Sequence, residues 1–106
     1  MSTEGKKPEF VDADGELITP WTMKLRVPIK GSDETELAEI VLREPNAGEM
    51  TQITKKQGYE ADIEGIMVVT GLTEKVVRRL GIRDLNRARA YLVSFIEDGQ
   101  KTGELA

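Results

Sequence analysis

Histidine and cysteine are both absent from the 106 residues. Their absence removes imidazole acid–base catalysis, thiol nucleophiles, disulfides, and nearly every transition-metal site built on nitrogen or sulfur ligands. Serine is scarce: Ser2 lies near the start, Ser32 in the stretch Gly31-Ser32-Asp33, and Ser94 inside a helical pattern. A dyad of Lys30 with Ser32 is conceivable, but turn chemistry accounts for Ser32 without it. An enzyme is not expected, and neither is a metal or a cofactor. Glu60, Asp62 and Glu64 do not change this, because alternation within a helix scatters three carboxylates around the cylinder. No apolar run approaches the roughly 20 residues that cross a bilayer. Residues 1–7 lack the apolar stretch of a secretory signal. The expected compartment is the cytoplasm.

What remains is a charged, moderately apolar chain. Hydrophobic residues make up 39% and charged residues 32%, with a net charge of −4. That composition suits one small globular domain. Residues 1–20 carry Gly5, Pro8, Gly15 and Pro20 among scattered charges and read as a flexible tail, with a short strand at 16–19. From Trp21 the apolar residues alternate: Trp21, Met23, Leu25 and Val27, then Ala38, Ile40 and Leu42. A period of two belongs to half-buried strands. With the turn residues 30–34 between them, the two runs predict an antiparallel β-hairpin over 21–43. A lone hairpin is marginal in water, so it must pack on helices or pair with another chain.

The period changes at 42–49. Pro45 lacks an amide donor and biases Glu44 away from helix, so the strand stops there. Asn46 followed by Glu49 reads as a capping box. Helices are predicted at about 47–57, 60–70, 74–80 and 85–97, with Gly58, Gly71, Gly81 and Asp98-Gly99 as stops and Thr73 and Asp84 as N-caps. Residues 99–106 read as a second flexible tail. The fold class is α+β: a hairpin followed by about four helices in a small bundle over 21–98.

Two features carry functional expectations. On the fourth helix Leu85, Ala88, Leu92, Phe95 and Ile96 cluster on one side, and Tyr91 and Val93 widen the stripe to about half the cylinder. Central burial explains most of that width. The remainder is a candidate partner surface, formed by Tyr91, Leu92, Phe95 and Ile96. Charge is also uneven, with nine acids against three bases over 31–71 and six bases against two acids over 72–92. Arg78, Arg79, Arg83 and Arg87 are therefore candidates for charge steering or self-association, although exposed ion pairs are individually weak. The same stretch has a helix-turn-helix outline, with Arg87 aimed at a base edge and Arg78 and Arg79 at phosphates. Against a nucleic-acid regulator stands the acidity of the rest of the chain, with a pI near 4.9.

The order of these pieces resembles the tail assembly chaperone family of Mu-like and related contractile-tailed phages. The resemblance rests on Val27-Pro28-Ile29-Lys30 after an alternating strand, then on Leu42-Arg43-Glu44-Pro45 leading into Ala47-Gly48-Glu49. It continues through Thr70-Gly71-Leu72-Thr73, Val76-Val77-Arg78-Arg79-Leu80 and Arg83-Asp84-Leu85, covering about residues 21–97. The N-terminal tail and the six-base cluster depart from it. The resemblance implies a non-catalytic factor in the bacterial host that binds the tape measure protein, keeps it soluble during tail morphogenesis, and is absent from the virion. It also implies a possible frameshifted longer form of the chain. A homo-oligomer is compatible with the charge asymmetry.

Overall fold

The computed structural model describes residues 8–105, with side chains described through Ile96. Two strands, β1 (Trp21–Lys30) and β2 (Glu36–Leu42), precede four helices: α1 (Ala47–Thr54), α2 (Gly58–Thr70), α3 (Glu74–Val77) and α4 (Ile82–Leu105). The α+β class expected from the sequence, hairpin first and helices after, is what forms.

The strands pair antiparallel around a loop closed by Gly31 N–H to Thr35 O (2.9 Å) and Glu34 N–H to Gly31 O (3.0 Å). Glu34 takes a φ of 68°, and the Asp33 carboxylate accepts from Thr35 N–H at 3.0 Å, holding the turn locally. From Trp21↔Leu42 to Lys24↔Glu39 the register is regular, then it slips before resuming at Ile29↔Leu37. Leu25-Arg26-Val27-Pro28 thus stands opposite Ala38 alone, a bulge in which Pro28 forfeits no ladder bond. The slip changes two expectations. Val27, expected inward, is 53% exposed, and Ala38 also faces solvent, while Leu37 turns in beside Ile29.

At the strand-to-helix junction the expected capping box is present. Asn46 Oδ1 accepts from Glu49 N–H, and Glu49 Oε1 accepts from Asn46 N–H, both at 2.9 Å. Arg43 adds a two-pronged pair to Glu49 at 2.7 and 2.9 Å and donates to Val68 O. Its backbone N–H donates to Val69 O at 3.2 Å, tying the end of β2 to the end of α2. The first helix stops earlier than expected, at Thr54, and Gly58, with φ 62°, opens α2 instead of ending α1. Gly71 closes α2 in the left-handed conformation, as a C-terminal glycine should.

Three further expectations are corrected. Residues 8–20 do not lie off the fold: Phe10 is buried against Trp21 and Tyr91, and Val11 bridges Leu17. The entropy of ordering this segment is offset jointly by Phe10, by the partly buried Val11, Leu17 and Ile18, and by the Glu9–Arg87 pair, not by one ring alone. Next, α3 is a single turn, 74–77, and tighter bonds from Arg79 and Leu80 lead on to α4. Finally, α4 starts at Ile82 and runs past Gly99 to Leu105, so Asp84 lies inside its first turn and is not its cap. One glycine inside a long helix costs only about 1 kcal/mol, too little to end it.

The core gathers Trp21, Met23, Ile40 and Leu42 from the hairpin with Ile66 and Val69 of α2, Val76 and Val77 of α3, and Leu85, Ala88 and Tyr91 of α4. Gly65 permits the α2–α4 approach, since a Cβ there would lie 2.8 Å from the Leu92 side chain.

Candidate functional site

The apolar stripe of α4 divides along its length. Tyr91 is fully buried, its ring within 5.0–5.4 Å of Phe10, Trp21 and Phe95, and its hydroxyl donates to Ile18 O at 2.7 Å. Burial raises its phenol above the ordinary value. Leu92 is buried against Gly65. These two belong to the interior and do not form the partner surface expected of them; the ring cluster supplied by Phe10 claims Tyr91. Phe95 is half-buried at the rim of a cavity of about 300 Å³ that Leu17, Thr19 and Glu44 also line. Ile96 and Val93 are each 38% exposed. The outward apolar surface of α4 is therefore the i,i+3 pair Val93 and Ile96, with Phe95 half-buried on another side against Tyr91.

The basic stretch is largely committed within the molecule. Arg78 reaches Glu74 at 2.8 Å and Glu60 at 2.9 Å. Arg79 donates to Lys30 O at 2.7 Å and Gly31 O at 3.3 Å, with Glu34 at 4.0 Å. Arg87 holds the Glu9 carboxylate through two bonds of 2.6 and 2.7 Å, Asp84 at 2.6 Å and Lys24 O at 2.9 Å. Its hydrogen bonds to Glu9 push the guanidinium above its usual value and hold the Glu9 carboxyl below the usual carboxylate range. Arg87 is thus an internal clamp, not a free charge. The Arg83 side chain is exposed and makes no hydrogen bond or ion pair among the described residues. The helix-turn-helix outline fails on the same geometry. The start of α4 lies against β1, and Arg87 points into the fold instead of toward a base edge.

Sequence reasoning missed what this clamp does. Asp84, 1% exposed, accepts from the backbone N–H groups of Arg26 at 2.9 Å and Val27 at 3.3 Å. A carboxylate buried this deeply must be paired and hydrogen-bonded, and Arg87 with the two bulge amides meets that demand. The outer edge of β1 is therefore closed by side chains: Asp84 on the amides, and Arg87 and Arg79 on the Lys24, Lys30 and Gly31 carbonyls. The signal available in the sequence was Asp84 and Arg87 three apart, a helical i,i+3 pair; its target 57 and 58 positions away was not legible.

Among the described residues no group of three or more acidic side chains is arranged to hold a metal, and no helix is long and apolar enough to cross a membrane. Glu60, Asp62 and Glu64 turn to Arg78, Arg89 and Lys56, three separate cations. The family described as "Phage tail assembly chaperone proteins, E, or 41 or 14" matches residues 22–97 of the chain. No curated protein and no solved structure matches it.

Proposed function

The chain belongs to the phage tail assembly chaperone family, and from that membership we propose that it binds the tape measure protein and keeps it soluble while the tail is built. The observation that carries the reading is the extent of the match, 22–97, which spans nearly all of the hairpin, α1 to α3 and the first two-thirds of α4. The role needs no catalysis. It needs apolar surface to cover a long, aggregation-prone partner and enough charge to keep the complex in solution. Val93 and Ile96 supply part of such a surface. The proposal places the protein in the cytoplasm of the infected bacterium and outside the finished virion, and it allows a frameshifted longer product.

Co-expression with the tape measure protein tests it. The partner should be in the soluble fraction with the wild-type chain and in the pellet without it. Ile96→Asp, at an exposed position, should fold normally and lower the soluble yield. A tape measure protein that is equally insoluble with and without the chain contradicts the reading, as would abundant peptides of this chain in purified virions.

A further inference from the structure

A two-stranded sheet has two edges, and here they are treated differently. The β1 edge is closed by Asp84, Arg87 and Arg79. On β2, Arg43 N–H points away from β1 toward Val69 O, and Lys24 O, opposite Glu39, points away from β2 toward Arg87. Antiparallel strands alternate inward and outward pairs. The backbone groups of Glu39 and Val41 are therefore turned outward. Among the described residues, nothing outside the hairpin hydrogen-bonds to them.

Beside this edge runs a groove of about 280 Å³ lined by Leu37, Ile40, Val41 and Leu72 with Thr70 and Glu39. Val41 is 49% exposed on it. The acids at the edge, Glu36 and Glu39, are exposed and make no ion pair among the described residues, although Lys30 and Lys24 stand across from them on β1. The contact of Arg43 with Val69 closes the edge at one end. The free stretch is thus a short ladder with an apolar wall and acidic flanks.

We propose that this edge of β2 takes up an extended segment of the partner protein, apolar at alternate positions and basic between them, as a third strand of the sheet. Main-chain bonds to Glu39 and Val41 would give the register, and side chains entering the groove the selectivity. A second copy of β2 fits worse, because it would set Glu36 and Glu39 beside their own kind. The inference deepens the chaperone reading by naming the chemistry of the segment held, and it rests on that reading for the identity of the partner.

The test uses the full chain, free and bound to co-expressed tape measure protein, with amide hydrogen exchange read at Glu39 and Val41. Uptake of a strand should slow both amides at least about tenfold. The variant Val41→Pro removes an N–H that the hairpin does not use, so it should fold and yet retain the partner at least about tenfold less well. Exchange at the free rate within a formed complex overturns the edge assignment and leaves the chaperone reading standing. So does full binding by folded Val41→Pro. If the wild-type chain holds no tape measure protein, the chaperone reading fails. The synthetic peptide (Lys-Val)4 then decides the edge alone: slowed amides support it, and unchanged amides overturn it. A free chain that is already dimeric, with both amides protected, shows that a second copy occupies the edge and also overturns the proposal.

Discussion

The two edges of the hairpin show how one sheet is made both stable and available. Along β1, unpaired backbone groups are met by Asp84, Arg87 and Arg79, all from the segment that leads into α4 or from its first turns. Along β2, the groups of Glu39 and Val41 meet nothing beyond the hairpin among the described residues. Open edges invite aggregation, and proteins usually blunt them with charge, short length or bulges. Glu36 and Glu39 provide charge, and the ladder is only 7 residues long. The difference between the edges teaches where the sequence spends buried charge on fixing the fold and where it leaves backbone free for another chain.

The largest effect should come from breaking the closed edge. Asp84→Ala leaves the Arg26 and Val27 amides and part of the Arg87 charge without partners, and the loss of one member of a buried pair costs about 3–5 kcal/mol. Chemical denaturation should show a midpoint shift of that size. Phe10→Ala, which unpins residues 8–20 from Trp21 and Tyr91, should cost about 3 kcal/mol by the same measurement. A matched proline pair then sharpens the contrast. Arg26→Pro removes an amide that Asp84 uses and should cost about 2 kcal/mol, whereas Val41→Pro at the open edge should stay within about 1 kcal/mol of wild type.

The smallest effect concerns pH at the junction. Glu49, hydrogen-bonded by Arg43 and by the Asn46 amide, has its pKa lowered from 4.5 to about 2. A carboxyl whose folded pKa is depressed favours the folded state above its unfolded pKa, and that contribution is lost as pH falls through the folded value. The window is therefore from about 4.5 down to about 2. Glu49→Gln should lower the neutral plateau of a stability–pH profile and flatten its fall through that window, so that variant and wild type converge below about pH 2.

These contrasts also mark what was legible in the sequence. Alternation from Trp21 to Leu42 located the hairpin, and Asn46 with Glu49 located the first helix, because each is a local pattern with a local cause. The bulge was not legible: Val27 keeps the alternating phase, and only the amides drawn to Asp84 reveal that it turns outward. Phe10 sits among glycine, proline and charge that read as tail, and its burial depends on a pocket made by residues from both β1 and α4. Tyr91 and Leu92 matched a surface stripe as well as a core stripe. Which one they join depends on Phe10 and on the absence of a side chain at Gly65. The arginines of 72–92 looked like a patch, but a sequence does not show that Glu9, Glu60, Glu74 and two strand carbonyls have already claimed three of them.

The most direct measurement is amide hydrogen exchange on the free chain, comparing Arg26 and Val27 with Glu39 and Val41. The account predicts strong protection of the first pair, whose N–H groups are held by the buried Asp84 carboxylate, and exchange near the unstructured rate for the second. Protection of Glu39 and Val41 in the free chain, or rapid exchange of Arg26 and Val27, would contradict it.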